Sequence, residues 1–142
     1  MEALNRRSAL TLGATSAAAL PVLFAPTPAL AQRYRADEGR EIAPGVRRID
    51  LTKRASDIPA YATVAIRDLV YQPGAKSDNP VMANDMVCHC LEGELLVGQG
   101  PGKQFAAKAG DVWSCMKGMP EANANTGSTV AIMRVIDLIA RA

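Results

Sequence analysis

Residues 86–97, Met-Val-Cys-His-Cys-Leu-Glu-Gly-Glu-Leu-Leu-Val, decide the fold class. Residues 86–91 form a compact apolar run, residues 92–94 form a Glu-Gly-Glu turn signal, and residues 95–97 resume the apolar pattern. Two short apolar runs joined by a glycine-containing turn are typical of a β-hairpin. We therefore predict two antiparallel strands in this segment.

Similar β-rich segments lie at short spacing on both sides, separated by Gly, Pro and Asn turn signals. The further predicted strands are residues 46–51, 61–66, 69–71, 104–106, 112–115 and 129–138. Residues 33–40 are charged and poorly patterned, which favours a loose leader, and residues 139–142 favour a helical or frayed tail. Strand after strand at this spacing indicates an all-β protein, either a sandwich or a small barrel.

The composition limits the classes of function. The chain has 142 residues, which fits one ordinary domain. Its net charge is only +2 and its aromatic content only 4%, so no nucleic-acid partner is expected. One histidine accompanies three cysteines and six methionines, which excludes sites that need several histidines. Any metal chemistry must therefore use soft sulfur donors or carboxylates.

Residues 1–31 have the layout of an export signal. Asn-Arg-Arg-Ser-Ala-Leu at residues 5–10 contains a twin-arginine pair, an alanine-rich apolar stretch follows, and Ala29 and Ala31 suit a cleavage site. The stretch is shorter than the roughly 20 residues of a spanning helix, so no permanent membrane span is expected. We predict a twin-arginine signal peptide (1–31), a leader with the first strand (32–55), a barrel (56–142), and a periplasmic or secreted location.

Four glycines and an asparagine form a spaced frame within the predicted barrel. Gly74 and Gly93 are followed by Gly110, Gly118 and Asn125. Together with the Leu-Glu-Gly-Glu-Leu turn at residues 91–95, this frame resembles the two sequence motifs of the cupin family. The resemblance covers residues 60–138 and implies a cupin-like jelly-roll β-barrel, also called a double-stranded β-helix.

The metal-ligand positions of that family hold other residues in this chain. Carried over by position, its set of three histidines and one glutamate falls on Pro80, Met82, Met86 and Glu121, with Glu121 in place of the second-motif histidine. The Fe(II) or Mn(II) site found in many cupin oxygenases is therefore not supported. Fold analogy alone does not supply that function.

Strand periodicity extends the resemblance to neighbouring side chains. If the family geometry applies, residues of one parity point into the barrel and those of the other point out. The inward candidates for a metal site are Met82, Met86, Cys88, Cys90 and Glu121, with Cys115 as a further candidate. His89 has the opposite parity and is expected at the surface, although a β-bulge here would turn it inward. Thioethers and thiolates favour Cu(I), so copper is the predicted metal.

These assignments have alternatives. Methionine fills irregular apolar space and buried cysteine behaves as a small hydrophobe, so Met82 and Met86 also fit plain core packing. Cys115 is a candidate for a disulfide with Cys88 or Cys90, because an exported protein enters an oxidising compartment.

The favoured function is an exported protein that binds a metal ion, such as Cu(I), or a small molecule inside the barrel. One alternative is a metal-dependent cupin enzyme of the oxygenase or isomerase type with non-standard ligands, in which Glu121 is the only catalytic candidate. Another is a degenerate cupin that acts as a structural or dimerisation module, because cupins commonly form homodimers. A filled barrel without a pocket would favour this last alternative.

Overall fold

The computed structural model describes residues 33–142, within which Tyr34–Ala142 form a compact unit. The predicted signal peptide, residues 1–31, lies outside the described residues. Residues 33–142 contain ten β-strands and no helix, so the all-β prediction is confirmed. No helix capable of crossing a membrane is present in this part of the chain.

The strands form two antiparallel sheets. In chain order they are β1 (Arg40–Ala43), β2 (Val46–Ala55), β3 (Tyr61–Tyr71), β4 (Lys76–Asn79), β5 (Asp85–Glu92), β6 (Glu94–Gly98), β7 (Gln104–Lys108), β8 (Val112–Cys115), β9 (Glu121–Ala124) and β10 (Ala131–Ala140). The six-stranded sheet has the order β1-β2-β3-β10-β5-β8, and the four-stranded sheet has the order β4-β9-β6-β7.

β3 and β10 form the long central pair of the six-stranded sheet. The sequence predicts a break in the middle of β3, where two charged residues follow each other, but the strand is continuous. Each charge is paired on β10: Arg67 with Asp137 and Asp68 with Arg134, both at 2.8 Å. Charges that look like an interruption in the sequence are thus compatible with a buried strand.

The ends of the described chain are more ordered than the sequence predicts. The expected helical or frayed tail is wrong for its first half, because β10 extends to Ala140, which is the register partner of Tyr61. The expected loose leader is wrong as well. The Tyr34 hydroxyl donates a hydrogen bond to the Asp68 carboxylate, and the Arg47 guanidinium donates to the backbone carbonyls of residues 37–39.

Two hydrophobic clusters stabilise the fold. The larger lies between the sheets and includes Tyr71, Leu95, Val97, Met133 and Val135. The smaller lies on the opposite face of the six-stranded sheet, where Tyr34 packs on it, and contains Ile49, Val70 and Ile132. The leader therefore covers an apolar patch that would otherwise face solvent.

β5 and β6 lie where the sequence predicts two strands, but they do not form the predicted hairpin. β5 pairs with β8 and β10, whereas β6 pairs with β7 and β9 in the other sheet. The turn at Gly93 carries the chain between the sheets. Its φ is 70°, and a Cβ there would lie 2.7 Å from the Val130 carbonyl oxygen, so the turn requires glycine. The sequence pattern does not distinguish such a crossing from a hairpin.

Candidate functional site

A cavity of about 200 Å³ lies inside the barrel, and both sheets contribute to its wall. Met86 reaches it from β5, Glu121 and Asn123 from β9, and Met82 from the loop between β4 and β5. A purely structural module would have a filled barrel, whereas this barrel contains a cavity. Three of the five predicted metal ligands share this one space.

The side chains of β5 alternate as strand periodicity predicts. Met86, Cys88 and Cys90 are buried, whereas His89 between them is half-buried on the opposite face. The register of β5 against β10 shifts only at Leu91, so no bulge turns the histidine inward.

The two predicted cysteine ligands do not line the interior cavity. Cys88 and Cys90 are fully buried in the larger core cluster. The Cys90 thiol lies at the far end of β5, where it donates to the carbonyls of Glu92 at 3.5 Å and Gly93 at 3.7 Å. The structure therefore separates Cys90 from the cavity that holds Met82 and the other candidates.

Glu121 lies at the start of β9 and is only 2% exposed. Its Oε2 accepts hydrogen bonds from Gln99 Nε2 at 2.9 Å and from Trp113 Nε1 at 3.3 Å. Its Oε1 accepts one from Asn123 Nδ2 at 3.1 Å. Because both oxygens are already occupied by neutral donors, this environment fixes the carboxylate in place and does not favour a role as general base.

The charge of Glu121 has no direct counter-ion. Among residues 33–142, no lysine or arginine forms an ion pair with it. Arg67 lines the same cavity, but its guanidinium donates two hydrogen bonds, of 2.8 and 3.1 Å, to Asp137. The arginine is thereby neutralised, and the cavity wall keeps a net negative charge.

Asn123 adds an unused acceptor to this wall. It is 5% exposed, and its Oδ1 is buried without a hydrogen-bond partner in the described part of the chain. Exchanging Oδ1 and Nδ2 would turn the amide oxygen toward the Glu121 carboxylate, so the orientation is chemically determined. The cavity thus presents a negative charge together with an acceptor that a ligand or its bound water can satisfy.

All three cysteines are free and buried. Cys115 on β8 is the register partner of Met86, so neither of the other cysteines faces it directly in the way the alternative disulfide requires. Burial raises the pKa of the Cys88 thiol, and burial together with the Glu121 carboxylate raises the pKa of Cys115 to about 11. Both thiols are therefore protonated at neutral pH, and a metal must displace the proton to bind.

The residues present do not fit the metal site that the cupin resemblance implies. Within residues 33–142 there is no group of three or more His, Cys, Asp or Glu side chains that is able to hold a metal ion. Fe(II) and Mn(II) prefer imidazole and oxygen donors, and the cavity offers no imidazole and, besides amide and hydroxyl groups, only the carboxylates of Asp78 and Glu121. At the ligand positions that the resemblance implies, the donors that line the cavity are the thioethers of Met82 and Met86 and the carboxylate of Glu121, and the Met133 thioether lines it from β10.

Sequence reasoning finds Glu121 but misses much of what surrounds it. Gln99 stands in a Gly-Gln-Gly turn, which carries no signal for a buried contact, and Arg67 looks like a surface charge on a strand. Trp113 is recognisable as core or pocket lining, and it shares its strand parity with Cys115. That alternation is the signal that would have connected β8 with the carboxylate.

Comparisons with known proteins address the fold. No protein-family model matches the chain, and the curated proteins give no significant match. Solved structures do match it. A cupin domain of an XRE-family transcriptional regulator from Enterobacter cloacae has a TM-score of 0.57 at 14% identity, over 68% of this chain and 99% of that chain.

Two further solved structures give the same result. A cupin superfamily protein from Desulfitobacterium hafniense has a TM-score of 0.52 at 23% identity, over 72% of this chain and 83% of that chain. KdgF from Halomonas sp. has a TM-score of 0.54 at 12% identity, over 70% and 84% of the two chains. At such identities the likeness concerns the fold. The described residues of this chain have the cupin jelly-roll fold.

Proposed function

We propose that this protein is an exported, cupin-like binding protein that holds a soft metal ion, Cu(I) in particular, inside its barrel. The proposed ligands are the thioethers of Met82 and Met86 and the carboxylate of Glu121. One observation carries the proposal: the unpaired charge of Glu121 lies in the wall of a cavity that both thioethers also line.

The chemistry of these donors selects the ligand. Thioether sulfur is a soft, neutral donor that favours Cu(I) over Mg, Ca and Mn. A cation beside Glu121 would cancel a buried charge, which is costly without a partner. Cys115 interacts with the same carboxylate but does not line this cavity, so it does not belong to the interior ligand set. A Cu(I) ion in this cavity would therefore both balance the charge of Glu121 and suit the thioether donors.

Trp113 provides a reporter for the interior, because it is the only tryptophan and its indole N–H donates to Glu121. We expect Cu(I) under reducing conditions, or Ag(I) as a redox-inert substitute, to change its fluorescence saturably. The Met82→Leu/Met86→Leu double variant should lose this response, because leucine conserves the volume but removes the sulfur.

Met133→Leu is the matched control for that experiment. Met133 lines the same cavity from β10 but does not belong to the proposed ligand set, so this variant should respond like the wild type. An equal loss of response in the control would contradict the ligand assignment. A wild-type protein that binds neither ion in competition with a chelator would contradict the proposed function itself.

The proposal includes export to the periplasm or the exterior, which the twin-arginine pair supports. We expect the wild type to be recovered from the periplasmic fraction after cleavage behind Ala31, and the Arg6→Lys/Arg7→Lys variant to remain uncleaved inside the cell. N-terminal sequencing of fractionated protein measures both. Uncleaved wild-type protein in the cytoplasm would show that the segment is not an export signal.

A further inference from the structure

A second cavity opens at the surface beside the interior site. Its volume is about 200 Å³, and three sulfur side chains line it: Cys115, Met116 and Met119. Met116 is 64% exposed and Met119 is 43% exposed, although a methionine side chain gains stability from burial. These two thioethers therefore contribute little to the core and remain accessible to a ligand.

The backbone holds the two exposed methionines together. The amide N–H of Met119 donates to the Met116 carbonyl over 3.1 Å, which closes a four-residue turn. Gly118 has a φ of 84°, a left-handed conformation that lets the chain reverse sharply. The first and last Cα atoms of such a turn lie within about 7 Å of each other, and both methionines line the cavity together with Cys115.

The same turn is bonded to the interior site through its backbone. The amide N–H of Met82 donates to the Met119 carbonyl at 2.9 Å, and the amide N–H of Gly118 donates to the Met82 carbonyl at 2.8 Å. The backbone of the turn at residues 116–119 is therefore bonded directly to the backbone of Met82, whose thioether lines the interior cavity.

Side chains also connect the two cavities. Cys115 lines the surface cavity and is the register partner of Met86, which lines the interior one. Gln99 lines the surface cavity as well, while its Nε2 donates to Glu121 at 2.9 Å. The two cavities thus have a common wall.

We propose that Cys115, Met116 and Met119 form a second soft-metal site, at the surface, which takes up a monovalent ion such as Cu(I) or Ag(I). Two thioethers and one thiol are donors that favour these ions. When Cys115 coordinates, its proton passes to bulk water. Lys103 also lines this cavity and repels a cation, and the negative charge that Cys115 carries once its proton has been displaced offsets this repulsion.

The surface site stands on its own geometry, whereas its role as a loading site for the barrel rests on the proposed function. An ion held at Cys115 on β8 is next to Met86, because Met86 is the register partner of Cys115 on the neighbouring strand β5. Transfer then needs only an exchange of thioether partners, and the ion does not have to return to solvent.

Methionine-methyl NMR of the whole protein, titrated with Ag(I), tests the surface site. The ε-methyl resonance of a methionine shifts when its sulfur binds a metal. We expect the resonances of Met116 and Met119 to shift saturably, and the Met116→Leu/Met119→Leu variant to lose one bound equivalent. The substitution lies on an exposed turn, so the fold should persist. Unshifted resonances at both residues would overturn the surface site.

The same titration tests metal binding inside the barrel separately, through the resonances of Met82 and Met86. Shifts at Met116 and Met119 alone would support the surface site and contradict the interior one. For the loading role, the Met116→Leu/Met119→Leu variant should reach the wild-type Trp113 fluorescence change more slowly after rapid mixing. An unchanged rate would overturn that role. Met133→Leu, placed away from the turn, should keep the wild-type rate.

Discussion

Glu121 illustrates how a protein holds a buried carboxylate without a counter-ion. Gln99, Trp113 and Asn123 direct N–H groups at it, and hydrogen bonds to a charged acceptor are roughly twice as strong as those between neutral groups. These donors offset part of the desolvation cost, but they leave the net charge in place. The residue is therefore prepared to receive a cation.

This cage of donors predicts a stability effect for a single substitution. Glu121→Gln should lower the free energy of unfolding by about 1–3 kcal/mol, because an amide has one acceptor oxygen and leaves at least one buried donor unsatisfied. Urea denaturation measures the change. Glu94→Gln is the matched control: its contact with Lys108 is exposed and 4.0 Å long, so it should cost less than about 1 kcal/mol. Equal costs would mean that the cage does not stabilise the fold.

At the scale of residues, the sequence predicts which side chains line the cavity better than it predicts the contacts that those side chains make. The spacing of the cupin-like frame is sufficient to predict that Met82, Met86 and Glu121 lie close together, and all three line one cavity. Gln99 and Arg67 escape sequence reasoning because their partners lie far away in the chain, and only tertiary structure brings them together. Their contacts explain why Glu121 is buried with a charge while Arg67, in the same cavity, does not neutralise it.

At the scale of elements, the turn at Gly93 carries the chain from the six-stranded sheet, at β5, to the four-stranded sheet, at β6. It combines a positive φ with a close approach to the backbone of Val130 and Ala131. A side chain there meets both a strained backbone and a steric clash. This turn therefore depends on glycine more than an ordinary exposed loop does.

Two alanine substitutions separate these two costs. Gly102 has a similar φ of 74°, but a Cβ there would meet nothing within 4 Å. Gly102→Ala should lower the free energy of unfolding by about 1–2 kcal/mol from backbone strain alone. Gly93→Ala should cost clearly more, because the Val130 carbonyl must also move. Thermal or urea unfolding measures both, and similar losses would show that the close approach is relaxed at little cost.

Strand positions are predictable from the sequence, but strand partners are not. The apolar alternation of β5, β6, β8 and β10 locates these strands in isolation. β4 has the sequence Lys-Ser-Asp-Asn, which carries no strand pattern and becomes extended because it pairs with β9. The crossing from β5 to β6 looks like a hairpin for the same reason: pairing depends on contacts that are remote in the chain.

At the scale of the whole molecule, the buried thiols should make stability depend on alkaline pH. Burial raises the pKa of Cys90 and of Cys115 from 9.0 to about 11, and raises that of Cys88 as well. The unfolded chain loses these protons first, so it binds fewer protons than the folded state above about pH 9. The free energy of unfolding should therefore fall between pH 9 and 10, by at most about 1.4 kcal/mol per pH unit for each thiol.

Urea denaturation with a reductant present at pH 8, 9 and 10 measures this slope. Below about pH 8 the thiols are protonated in both states, so their contribution is constant there. Cys90→Ala should reduce the slope by the share of one thiol. A slope that is unchanged in this variant would assign the pH dependence to other groups.

β10 is the last strand in chain order, yet it lies between β3 and β5 in the middle of its sheet. During translation, both of its neighbours are made well before it and have unpaired edges until it leaves the ribosome. The barrel therefore closes only after β10, the last strand of residues 33–142, has emerged, and β pairing between such distant segments is slow. If the proposed export requires a folded protein, the emergence of β10 limits how early the chain is ready for transport.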